Sequence, residues 1–121
     1  MIAYRAMDMM FATKIRAAGE AAQVGTREVR TPQRLRDMLD APGDDRATGL
    51  FVDLETGPEA IELIEAARSH DAPPTIIAFG SHVDTQTLDA ARDAGADEVL
   101  PRSAFAARLV ELLEAHGRVE Q

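Results

Sequence analysis

At 121 residues, 45% hydrophobic and 28% charged, the chain has the length of one domain that buries roughly two-thirds of its unfolded surface, and no stretch approaches the roughly 20 apolar residues of a membrane span. A formal charge of −8 opposes general binding to nucleic acid or to an anionic membrane. The absence of cysteine excludes disulfides, thiolate metal sites and cysteine nucleophiles.

The first five residues lack the cationic segment and long apolar run of a secretory signal, so a soluble, cytoplasmic protein is expected. Residues 2–6 read as a short buried strand, and Asp8 stands where a helix N-cap belongs. Phe11, Ile15, Ala18 and Ala22 recur at spacings of three and four, which predicts an amphipathic helix over 9–23. Residues 24–30 mix Val and Thr with charges, as an edge strand with one wet face does. Thr31-Pro32 supplies an N-cap and first-turn proline for a helix carrying Leu35, Met38 and Leu39, which Pro42-Gly43 ends.

Residues 48–54 form an apolar run closed by Asp53, the pattern of a central parallel strand covered on both faces. Thr56-Gly57-Pro58 breaks it and starts a third helix with Ile61, Ile64 and Ala67 inward and Glu59, Glu62 and Glu65 outward. Residues 75–79 are a second apolar run, turned by Gly80-Ser81-His82 into a helix over 84–94 that Gly95 closes. A short strand over 97–100, a Pro101-Arg102 loop and a last helix capped by Ser103 and carrying Phe105, Leu109, Leu112 and Leu113 complete the chain.

Strands alternating with helices predict an α/β fold: a doubly wound, five-stranded parallel sheet, (βα)5 and flavodoxin-like, in strand order 2-1-3-4-5. One domain over 1–117 and a frayed tail over 118–121 are expected. His70, His82 and His116 lack metal-ligand spacing, and no G-x-G-x-x-G, P-loop or G-x-S-x-G is present. Met7, Met9 and Met10 form a soft apolar cluster, read as padding of the core or its rim, or as part of a partner surface.

Three segments carry a family resemblance: Leu50-Phe51-Val52-Asp53-Leu54 ahead of Ile61-Glu62-Leu63-Ile64, Thr75-Ile76-Ile77-Ala78-Phe79, and the A-x-x-A-G-A-x-x-x-L run from Ala91 to Leu100. On these the chain resembles the CheY-like receiver domain of bacterial response regulators over almost its whole length. The resemblance implies that Asp53 is the phosphoacceptor. It also implies a Mg²⁺ site made by Asp53 and an acidic pair, of which Asp8 is the second member while Met7 stands at the first. Phe79 takes the place of the hydroxyl that ends the fourth strand. Pro101 takes the place of the lysine after the fifth, with Arg102 one position on, and Gly57 replaces the usual proline.

The missing groups are those that stabilise charge in phosphoryl transfer. The resemblance therefore implies a stand-alone pseudo-receiver: no enzyme, no cofactor, and phosphorylation-independent contacts with a protein partner such as a histidine kinase or another signalling protein. Asp53 is then a strand-end carboxylate, solvated or paired with Arg102. Phe79, Pro101 and Arg102 are the quasi-switch positions, and Val83, Phe105 and Arg108 represent the partner surface. Two alternatives stay open: an active single-domain regulator phosphorylated on Asp53 with Mg²⁺, and a small-ligand-binding flavodoxin-like domain. The oligomeric state stays open too.

Overall fold

The structure, a computed structural model that describes residues 1–119, has β1 (Ile2–Arg5), β2 (Thr26–Glu28), β3 (Gly49–Asp53), β4 (Thr75–Gly80) and β5 (Glu98–Pro101) in one parallel sheet. The order is β2-β1-β3-β4-β5, the order expected for a doubly wound sheet of this kind. Between the strands run α1 (Met9–Ala22), α2 (Pro32–Asp40), α3 (Pro58–Arg68) and α4 (Thr85–Ala94), and after β5 come α5 (Arg102–Ala107) and α6 (Leu109–His116). Single 3₁₀ turns occupy Gly43–Asp45 and Leu54–Thr56. Among the described residues no helix is long and apolar enough to cross a membrane.

The period of two along each strand sorts its residues onto two faces. Ala3, Leu50, Val52, Ile76 and Ala78 pack with Leu35 and Leu39 of α2, Leu63 and Ile64 of α3, and Leu88 and Ala91 of α4. Ile2, Tyr4, Phe51, Ile77 and Phe79 pack with Phe11 and Ile15 of α1, Phe105 of α5, and Leu109 and Leu112 of α6. Central β3 is buried throughout because helices cover both of its faces.

Local chemistry sets most element ends. Asp8, Thr31 and Asp84 cap α1, α2 and α4 by accepting from the backbone N–H three residues on, at 2.8, 3.2 and 3.2 Å. Gly95, at φ +119°, ends α4 in a left-handed conformation that suits glycine.

The C-terminal part departs from expectation. The predicted Pro101-Arg102 loop does not exist, since Pro101 ends β5 opposite Gly80 and Arg102 is the first residue of α5. Ser103 therefore lies inside the helix and caps nothing; α5 has no side-chain cap. The single expected last helix is broken at Arg108, whose N–H is shared between the carbonyls of Ala104 and Phe105, a tightening typical of helix ends. Arg118, expected in the frayed tail, donates to the Ala22 carbonyl at 2.8 Å. Residues 120 and 121 of that tail lie outside the described residues.

Candidate functional site

Asp53 closes β3 at the C-terminal edge of the sheet, in register with Phe79 of β4. Its side chain is 0% exposed. A carboxylate that far from water must be charge-paired and hydrogen-bonded, and both conditions hold. Oδ2 accepts from the Met7 N–H at 3.0 Å and from Arg102 Nη1 at 3.2 Å. Oδ1 accepts from the Glu55 N–H at 3.0 Å and from Arg102 Nη2 at 2.9 Å. Arg102 thus grips Asp53 as a two-pronged fork, the geometry that makes arginine a strong carboxylate partner.

The fork is held from behind. The Arg102 guanidinium carbon lies 5.3 Å from the Phe11 ring centroid and 5.5 Å from that of Phe79, within cation–π range. Glu55 Oε1 sits 3.2 Å from Nη2. The hydrogen bond to Asp53 raises the Arg102 pKa above its ordinary value against the opposing effect of burial, and the charges of Asp53, Glu55 and Asp8 add to it. Arg102 is therefore a permanent cation. Phe79 is fully buried and stacks on Phe105 at 4.1 Å with 7° between the rings, and on Phe11 at 5.0 Å.

Several expected site residues stand elsewhere. Pro101 is not at Asp53 and belongs to β5; the cation at the carboxylate is Arg102, the pairing expected as the alternative to a solvated Asp53, because α5 begins at that residue, directly beyond the strand end. Asp8 caps α1, its Oδ1 accepting from the Phe11 N–H at 2.8 Å, and its charge is felt by Arg102. What faces Asp53 from the β1–α1 turn is the donor N–H of Met7.

The residues present do not fit Mg²⁺, which requires oxygen acceptors: both oxygens of Asp53 face N–H donors. Ser81, beyond Phe79, accepts from the Val83 N–H at 3.4 Å within its own turn.

The expected partner surface divides. Val83 is 75% exposed, as a contact residue should be. Phe105 is 0% exposed, packed between Phe79 and Phe51, so it belongs to the core and offers no surface. Arg108 is partly exposed but committed to Glu98 at 3.0 Å and Glu111 at 3.6 Å. Met7, Met9 and Met10 are 56%, 81% and 73% exposed, which overturns their reading as core padding. The site residues that sequence reasoning missed are the Met7 N–H, the Glu55 N–H and the Phe11 ring. The first two are backbone groups, which carry no side-chain signal, and Phe11 reads from periodicity only as core.

No protein-family model matches the chain, and no curated protein sequence does. Solved structures do. A response regulator from Thermotoga maritima superposes with a TM-score of 0.71 at 17% identity, over 94% of this chain and 93% of that one. The receiver domain of NtrX from Brucella abortus gives 0.73 at 14% identity, over 95% and 96%. The phosphorylated cyanobacterial phytochrome response regulator RcpA gives 0.68 at 14%, over 94% and 88%. With near-complete coverage on both sides, these likenesses establish that the chain adopts the receiver fold of response regulators.

Proposed function

We propose that the chain is a pseudo-receiver, a non-catalytic signalling module that works through protein contacts without phosphorylation of Asp53. One observation carries this reading: both oxygens of a fully buried Asp53 are occupied, by the Arg102 fork and by two backbone N–H groups. A carboxylate nucleophile needs a free lone pair in line with the phosphorus. Freeing one here means breaking an ion pair whose carboxylate is buried and whose guanidinium is 29% exposed, at about 2–3 kcal/mol, which alone is roughly thirtyfold to 150-fold in rate.

The charge-stabilising groups of phosphoryl transfer are also wanting. Phe79 offers no hydroxyl, Met7 no carboxylate, and Arg102 already stabilises the unreacted Asp53. The small-ligand alternative gains no support either. At the C-terminal ends of the strands, where a flavodoxin-like fold holds its ligand, the depression beside Leu54, Ser81 and Leu88 measures about 80 Å³, against roughly 300–1,000 Å³ for ordinary ligand pockets. The partner in this reading is a signalling protein of the cytoplasm, a histidine kinase among the candidates.

The test is an amide NMR titration with Mg²⁺ and then beryllofluoride, which stands in for the aspartyl-phosphate, beside an Asp53→Asn control. An unchanged spectrum of the folded protein is expected. Shifts that spread from Asp53 into α4 and α5, and that vanish in the control, would overturn the reading in favour of an active regulator.

A further inference from the structure

Between α3 and α4 lies an open groove of about 560 Å³, within the roughly 300–1,000 Å³ of ordinary binding pockets. Leu54, half-buried Ile61 and exposed Ala90 give it an apolar floor. Glu62 and Glu65 form one wall, and the uncharged Gln86 and Thr87 form the other. Both glutamates are exposed and enter no ion pair among the described residues, unlike their neighbour Glu59, which meets Arg5 at 3.4 Å. Apolar floor and uncompensated acid wall together specify a complement that is apolar on one stripe and basic on one flank.

The backbone narrows the choice further. The groove's walls are helices and its strands, β3 and β4, are central in the sheet, so no unpaired strand edge is offered to an incoming chain. A helix satisfies its own backbone hydrogen bonds, and its apolar stripe suits a groove walled by two helices, the helix-in-groove mode of recognition.

We infer that the α3–α4 groove is the docking site for a basic amphipathic helix of a partner protein, its apolar residues on Leu54, Ile61 and Ala90 and its lysines or arginines against Glu62 and Glu65. This moves the partner surface off the α4–β5–α5 face, where Phe105 is buried and Arg108 is paired. It also places the contact beside Asp53, because Leu54 is the next residue and packs against Gly80 at the end of β4. The inference rests on the reading of the chain as a protein-contact module.

The experiment is an amide NMR titration of the full chain with a synthetic amphipathic helix of leucine and lysine, with its leucine–glutamate twin and a scrambled leucine–lysine sequence as controls. The expected result is saturable shifts centred on Leu54, Ile61, Glu62, Glu65 and Ala90 for the first peptide only. The Glu62→Lys/Glu65→Lys variant, altered only on the surface, should bind it about threefold to tenfold more weakly and should gain affinity for the glutamate twin. Shifts elsewhere, equal binding of the scrambled peptide, or indifference to the charge reversal would overturn the proposal. So would the same residues shifting with protein concentration alone alongside a dimer in sedimentation, which would make a second copy the occupant. Because the titration does not involve Asp53, a silent groove with an inert Asp53 sinks the docking site alone, whereas a beryllofluoride response sinks the pseudo-receiver alone.

Discussion

The two faces of the sheet are made of different chemistry. All four phenylalanines of the chain, Phe11, Phe51, Phe79 and Phe105, lie on the face covered by α1, α5 and α6, whereas the face covered by α2, α3 and α4 is built from Leu, Ile, Val, Ala and Met. Stacked rings form a rigid plate against which the Arg102 guanidinium rests, so the aromatic face dictates the geometry at Asp53. The aliphatic face sets no such geometry and leaves an open groove between two of its helices. Burial as such is therefore not what builds the site; the shape and polarisability of the buried groups are.

The sharpest way to break this comparison is to cut one large side chain from each face. Phe105→Ala should cost about 3–5 kcal/mol and Leu63→Ala about 2–5 kcal/mol in urea denaturation, since both are fully buried. Only Phe105→Ala should move the amide resonances of Met7 and Glu55, the backbone donors to Asp53. Equal movement in both variants would mean that the aromatic plate has no special hold on the site.

The next effect isolates the fork. Arg102→Met keeps much of the apolar stem and removes the charge, which leaves a buried Asp53 with two backbone donors. The expected loss is about 2–3 kcal/mol at neutral pH, below the usual cost of breaking a buried pair because Arg102 is 29% exposed. Adding Asp53→Asn should recover much of it in a double-mutant cycle. A single-variant loss under about 0.5 kcal/mol would show that Asp53 is not held by Arg102.

The smallest effect lies on the aliphatic side, where His70 Nε2 meets Asp40 Oδ1 at 2.7 Å and ties the end of α2 to the turn after α3. That hydrogen bond raises the His70 pKa above its ordinary 6.5. A raised folded-state value means that the pair's stabilisation is fully present below the unfolded value and is lost as pH rises through the folded one. The urea midpoint of the parent should therefore exceed that of His70→Gln by more at about pH 6 than at about pH 8.5. A pH-independent difference would remove the ion pair from the account.

Much of the fold was legible because its signals are local. The Thr31-Pro32 start of α2, the Asp8 and Asp84 caps and the left-handed Gly95 each concern a few neighbouring residues. The apolar runs that became β3 and β4 declared their double burial in composition alone. The candidate site was legible as a place, at the end of β3, but only in part as an arrangement. Asp53 and Phe79 could be located by their positions at strand ends. Counting positions along the chain put Pro101 where a cation was sought, yet the point at which β5 ends and α5 begins brought Arg102 to the carboxylate.

Phe105 and the three exposed methionines show the same limit from the other side. Hydrophobicity told that Phe105 and Met7, Met9 and Met10 are apolar, and the structure buries the first and exposes the others. Sequence by itself determined the alternation of strands and helices and most helix ends, because propensity, capping and periodicity act over a few residues. Tertiary structure decided that Asp53 is paired with Arg102 rather than solvated, and that Phe105 is buried while Met7, Met9 and Met10 are not, because those outcomes depend on where elements far apart in the chain come to rest against one another.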